Sequence, residues 1–262
     1  MKKDIVAGIG EIGKPILKLL SKNSITVGFD LNRDLMDERK FEKYKNLKTS
    51  FLHIAIPATG KFINNTLKLY KKFQPECIVI HSTIRPGTTE KLQEKLPIPI
   101  IYSATRGVHK RMIYDLKRYT KFFGISVNAP RGKWASYRYI KLMKHCGVKT
   151  KKMSKPKTLE LAKILCDTSY LGWLINYSQI TNVIAKAHDV NYDEMWLFSD
   201  EIHKFLGNRP KMYPGYIGGH CVIPNLELIN NQTLSLIKKM NNSYIKKVKN
   251  AKHINKKYSK RT

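Results

Sequence analysis

Residues 4–15, DIVAGIGEIGKP, pass from a strand-length apolar run through a glycine turn into the start of an amphipathic helix. Gly8, Gly10 and Gly13 stand at the spacing G-x-G-x-x-G, in the strand–turn–helix context that a dinucleotide fingerprint requires. The glycines permit a tight turn, close approach of a pyrophosphate to the backbone and close helix packing, and the helix N-terminus supplies partial positive charge. About twenty residues on, Asp30 ends a second apolar run, ITVGFD, where its carboxylate is placed to accept ribose hydroxyls. That favours NAD over NADP as cofactor, with Arg33 close enough to bear on the choice. Ile12 in the turn, and Pro57 and Thr83 just beyond the next two apolar runs, complete the expected cofactor-binding set.

Short apolar runs alternate with amphipathic segments throughout the first half. FLHIAIPA, CIVIHST, PIIYSA and KFFGISV read as further strands, and TGKFINNTLKLYKKF, TTEKLQEKL and GKWASYRYIKLMKHC as helices. This alternation predicts an α/β fold with a Rossmann-type, doubly wound parallel sheet over residues 1–155. Lys149–Lys157, KTKKMSKPK, reads as a linker. Thr158–His188 then forms an apolar-rich stretch with no proline, expected to be a single long helix at the centre of an all-α domain over 156–237. Shorter helices are expected at YDEMWLFSDEIHKFL and NLELINNQTLSLIKKM. Residues 238–262 hold ten Lys or Arg and no acid, and read as a largely mobile basic tail. WLINYSQI is too apolar to stay wet, so the long helix is expected to form a homodimer with Trp173, Tyr177 and Ile184 near the packing face.

The chain has 262 residues and a formal net charge of +30, from 49 Lys and Arg against 19 Asp and Glu. Such a balance favours anionic partners. Sixteen of the basic residues lie between Arg106 and Lys157 with a single acid, Asp115. No nucleic-acid motif accompanies them, so solvated surface charge is the preferred account and nucleic acid the lesser alternative. Four widely spaced cysteines, with no metal-ligand or paired spacing and no signal-peptide pattern, indicate a reduced, cytoplasmic protein and no metal. The longest apolar runs are strand-sized, well short of the ~20 residues that cross a bilayer.

Three further stretches carry chemistry: HSTIRPGTTEKL at 81–92, IYSATRGVHKRM from 101, and GYIGGHCVIPN at 215–225. In order and spacing they resemble the UDP-glucose/GDP-mannose dehydrogenase family over roughly residues 1–230. Members of that family carry an ST-x-PPGTTE-like segment, a YSPE-like segment and a GGxC turn, and add a third, nucleotide-sugar-binding domain. The resemblance implies a two-step oxidation of a primary alcohol on a sugar nucleotide by NAD, through a thiohemiacetal and a thioester on a cysteine.

On that resemblance Cys221 is the nucleophile, and Lys163 stabilises oxyanion charge from the long helix. Thr105, Gly218 and His220 fall at substrate-binding positions. Three residues depart from the family pattern. Asp167 stands where the family has Asn, Asn225 where it has Asp, and Thr105 where a Glu is expected to help activate water. Asp and Asn look exchanged between two segments expected to share one pocket. A non-catalytic or altered NAD-binding homologue, with an anionic polymer as partner, is the alternative.

Overall fold

The structure, a computed structural model, describes residues 1–206, 215–219, 221–228 and 230–258. They form two compact units, 1–163 and 164–262. In the first, β1 (Lys3–Ala7), α1 (Gly13–Leu20), β2 (Thr26–Phe29), α2 (Glu38–Lys43), β3 (Thr49–Ile54), α3 (Phe62–Phe73), β4 (Cys77–Ile80) and α4 (Thr88–Gln93) follow in order. They are succeeded by β5 (Ile100–Tyr102), α5 (Met112–Arg118), β6 (Lys121–Ile125), α6 (Gly132–His145), β7 (Thr150–Lys152) and α7 (Pro156–Ala162). The sheet order is β2-β1-β3-β4-β5-β6-β7. All neighbours are parallel except β5 and β6, which run antiparallel. The expected doubly wound sheet is therefore present, with one reversal near its far edge.

β1 and β3 to β5 are buried along their whole length, as strands covered on both faces must be. Their side chains alternate between two cores. Val6, Phe51, Val79, Ile101 and Phe123 join Ile16, Leu19, Tyr139 and Met143 on the α1/α6 face. Ile5, Leu52, Ile54, Ile78, Ile80 and Ile100 join Phe62, Leu92 and Leu159 on the α3/α4 face. The same parity directs His53, His81, Ser103 and Lys121 toward the α1/α6 face, a polar row at the upper end of an otherwise apolar layer.

Lys149–Lys157 is not a linker. It supplies the edge strand β7, pairing Thr150 with Lys121 and Lys152 with Phe123, and Pro156 opens α7. An exposed lysine-rich strand suits an edge, since the charges discourage further pairing. α2 and α5 were not legible as helices in the sequence.

The second unit begins within the long helical run. α7 is followed by a π-helical segment, Lys163–Ser169, and then α8 (Tyr170–Ala187), so the expected single helix is continuous but changes its winding. α9 (Tyr192–Leu206) packs on α8 through Trp196, whose ring centroid lies 6.3 Å from Tyr177 and 6.2 Å from Tyr192. The helix expected over 225–240 is two: α10 (Val222–Leu226) and α11 (Gln232–Tyr258). The basic run from Lys238, expected as a mobile tail, is the continuation of α11 to Tyr258. Ile217, Val222, Leu226, Leu234 and Ile237 form this unit's core, with Trp173 half-buried against it.

The β1–α1 junction tolerates no extra atom at Gly13, where a Cβ would stand 1.6 Å from the Gly8 carbonyl oxygen. At Gly10 a Cβ meets nothing within 4 Å. Gly13→Ala is therefore expected to lower unfolding free energy by about 3 kcal/mol or more, as overpacked sites do, while Gly10→Ala leaves it within about 1 kcal/mol of the parent; urea denaturation of both variants measures the contrast.

Candidate functional site

The strand order reverses between β1 and β3, and in open α/β sheets the loops leaving that switch point form the ligand crevice. Here the glycine loop is tied to the end of β2: Ile9 N–H donates to Asp30 Oδ2 at 2.6 Å, and Asn32 N–H to Asp30 Oδ1 at 3.0 Å. Gly8, Gly10, Gly13 and Asp30 are thus brought together, with Ile12 at the N-cap of α1. Gly10 faces open space, a cradle that any side chain would begin to fill. The set fits a dinucleotide: α1 has no acid in its first turn to oppose a pyrophosphate. Arg33 is exposed and lies 3.8 Å from Glu38, across the turn that follows Asp30. Pro57 is exposed beyond β3, and Thr83 half-buried beyond β4.

The segment after β4 is fixed by a residue that sequence reading missed. Glu160 on α7, wholly buried, accepts from Gly87 N–H, from Thr89 N–H at 3.0 Å and from Thr89 Oγ1 at 2.6 Å. It caps the N-terminus of α4, and burial raises its carboxyl above the usual range despite these bonds. The only signal for it was a glutamate three residues before Lys163 on the same helix.

Thr105 lies buried just past β5. Beside it Lys121, the first residue of β6, is buried as well and directs Nζ at Ser103 O (3.1 Å), Ala104 O (3.4 Å) and Thr105 Oγ1 (3.4 Å). Burial, then the positive charges of Arg106 and Lys163, lower the Lys121 ammonium to about 7. Ser103 O also accepts from His81 Nδ1 at 3.2 Å, which leaves His81 Nε2 to accept from His53 Nδ1 at 2.9 Å. Both imidazoles are held neutral, His53 lowered to about 3, by burial and then by Lys121. The loop beyond Thr105 is pinned by Asp115, which accepts from Val108 N–H at 2.9 Å and from Arg111 Nε at 3.1 Å. The Val108 N–H bond is the main reason its carboxyl is lowered.

Lys163 and Asp167 both fall on the π-helical segment, one turn apart, with Lys163 half-buried and Asp167 exposed. π-Turns within helices are rare and collect at functional sites. Cys166, next to Asp167, is an exposed thiol that the sequence reading passed over; Cys77 and Cys146 are buried.

In the second unit Cys221 is exposed and occupies the N-cap position of α10, with Asn225 one turn later donating its N–H to Cys221 O at 3.2 Å. Gly219 adopts φ +75°, the left-handed region that glycine enters without strain. A Cβ on Gly218 would stand 2.9 Å from the Tyr216 ring. The turn is positioned by two amides that sequence reading did not single out. Asn241 accepts from Ile217 N–H at 2.6 Å and donates to Ile217 O at 3.0 Å, while Gln179 Nε2 donates to Gly215 O at 2.7 Å. His220 lies outside the described residues.

Glu160→Ala strands the Gly87 and Thr89 N–H groups and is expected to cost about 3 kcal/mol of stability, whereas Glu160→Gln, which keeps an acceptor, loses less. Urea denaturation of the two variants ranks them.

No protein-family model and no curated protein sequence matches the chain. Solved structures do. The UDP-D-ManNAc dehydrogenase of Pyrococcus horikoshii superposes with a TM-score of 0.74 at 18% identity, over 92% of this chain and 68% of its own. A UDP-glucose dehydrogenase of Pyrobaculum islandicum gives 0.67 at 15% identity, over 94% and 67%. The 3-hydroxyisobutyrate dehydrogenase of Mycobacterium tuberculosis gives 0.66 at 14% identity, over 94% and 93%. At these identities the likeness is one of fold: this chain has the fold that nucleotide-sugar dehydrogenases carry over about two thirds of their length.

Proposed function

We propose that the protein is an NAD-dependent oxidoreductase of the nucleotide-sugar dehydrogenase family, oxidising a primary alcohol of a sugar nucleotide with Cys221 as covalent nucleophile. The observation that carries this reading is the exposed Cys221 thiol on a glycine turn, in a chain that also holds a glycine–Asp30 dinucleotide cradle. Gly8, Gly10, Gly13 and Asp30 would hold NAD, which would supply the oxidising capacity for both oxidations, one molecule for each. In this reading the Cys221 thiolate adds to the aldehyde between these oxidations, and the Lys163 ammonium stabilises the oxygen that gains charge. Asp167 and Asn225 supply one carboxylate and one amide, exchanged relative to the family pattern. Thr105, Gly218 and His220 are assigned to substrate contact, and Ile12, Arg33, Pro57 and Thr83 to the cofactor.

The departures at Thr105, Asp167 and Asn225 favour a second reading, an NAD-binding homologue with altered or lost chemistry. Mixing the protein with NAD and a panel of UDP- and GDP-sugars decides between them, NADH formation supporting the first. Cys221→Ala is expected to lower turnover roughly a thousandfold or more. Asp167→Asn alone is expected to abolish activity and Asp167→Asn/Asn225→Asp to restore part of it.

We also propose a homodimer through α8. Tyr170, Tyr177, Ile180 and Ile184 recur along one side of that helix and are 52%, 60%, 41% and 51% exposed. Tyr177→Glu/Ile184→Glu is expected to yield a monomer in sedimentation. A reducing, cytoplasmic setting suits cysteines that form no disulfide among the described residues. Among the described residues no helix is long and apolar enough to cross a membrane.

A further inference from the structure

Solvated charge set by composition alone would fall on both helical layers of the first unit alike. The two layers differ. α2, α3 and α4, on one face of the sheet, carry seven Lys or Arg interleaved with the acids Glu38, Glu42 and Glu90. α1, α5 and α6, on the other face, carry eight Lys or Arg, all exposed, and no exposed acid. Asp115, the acid within these three helices, is buried and accepts from Val108 N–H and Arg111 Nε. At the margin of the layer, exposed Glu11 lies 2.7 Å from His109 Nδ1.

Helix geometry interleaves these cations with exposed rings. Tyr114, Lys117 and Arg118 share one side of α5, and Lys133, Tyr137, Lys141 and Lys144 one side of α6. Tyr114 is 62% and Tyr137 64% exposed, so neither ring is used by the core. The Arg118 guanidinium lies 6.0 Å from the Tyr114 ring centroid and 5.7 Å from that of Tyr119, and Arg131, at the N-cap of α6, lies 4.1 Å from that of Trp134. A guanidinium held over a ring has given up part of its freedom in advance and keeps N–H donors for a phosphate. Beside it is a shallow depression lined by Ile113, Tyr114, Lys117 and Arg118. The layer is continuous: α1 packs against α5, and Asn23, just after α1, donates to Cys146 Sγ at the end of α6 at 3.9 Å.

We propose that the α1/α5/α6 layer binds single-stranded nucleic acid, with phosphates on its Lys and Arg side chains and unpaired bases stacked on Tyr114 and Tyr137. A duplex offers the same phosphates but hides the faces of its bases, so the exposed rings favour the single strand. α11 is basic too, but Tyr244, the aromatic side chain described on it, is half-buried, which leaves charge without a stacking platform. The surface lies within residues 1–163 and is independent of the dehydrogenase reading.

Fluorescence anisotropy on the full chain, with a labelled oligo(dT) of about 15 nucleotides and a duplex of the same length, tests this. The single strand is expected to bind more tightly, with a log–log salt slope of about −3.5 for some five engaged phosphates. Tyr114→Ala/Tyr137→Ala is expected to weaken oligo(dT) binding at least about fivefold while leaving duplex binding and thermal unfolding unchanged. Lys117→Glu/Lys141→Glu/Lys144→Glu is expected to weaken it about 100-fold or more. Lys68→Glu/Lys71→Glu/Lys91→Glu on α3 and α4, and Lys246→Glu/Lys247→Glu/Lys249→Glu on α11, remove the same charge elsewhere and are expected to stay within about threefold of the parent, since distant exposed charges are screened. An equal loss in all three triple variants, tighter binding of the duplex, or unchanged oligo(dT) binding by the tyrosine variant overturns the proposal. So does capture by phosphatidylserine vesicles that oligo(dT) fails to displace, or no oligo(dT) binding at about 50 mM salt.

Discussion

The approach of Gly13 to the Gly8 carbonyl is the constraint from which the first unit is built. Because the start of α1 can touch the turn that leaves β1, the helix folds back across the sheet with its first N–H groups aimed at the switch point. The loop between them is then held to the end of β2 by the Ile9–Asp30 hydrogen bond. Two neighbouring strands, a helix end and a carboxylate are thereby fixed by one missing methyl group. The crevice that results is a property of backbone packing, whatever molecule fills it.

Much of this was legible because it is local. β1 to β6 announce themselves as apolar runs, and the glycine spacing with Asp30 is contained in thirty residues. The features that were not legible depend on distance along the chain. Glu160 caps residues 71 to 73 positions away, and Lys121 meets Thr105 across 16. A lysine at the start of a strand reads as surface in one dimension and becomes an interior group only when β6 runs antiparallel to β5. β7 escaped for the opposite reason: it is an edge, and edge strands need no apolar pattern. The π-helical segment Lys163–Ser169 is only seven residues long, too short for periodicity to distinguish it from α-helix.

Charge in this protein is distributed by function more than by number. Against 49 basic residues there are 19 acids, and three buried ones serve the backbone. Asp4 accepts from Phe51 N–H, Asp115 from Val108 N–H, and Glu160 from Gly87 and Thr89. Each anchors a loop or strand whose amide has no partner in the sheet. With so few carboxylates committed to the surface, most lysines remain solvated, and the exposed ion pairs that do form are of little energetic weight.

The amide clasp of Gln179 and Asn241 on residues 215–217 changes how the end of the chain is to be regarded. The lysine-rich helix looks expendable by composition, yet Asn241 in its third turn, one turn past the core residue Ile237, holds the cysteine turn in register. The functional boundary of the second unit therefore lies beyond Asn241. A shortened protein that stopped where the basic run begins would retain its thiol and lose the scaffold that aims it.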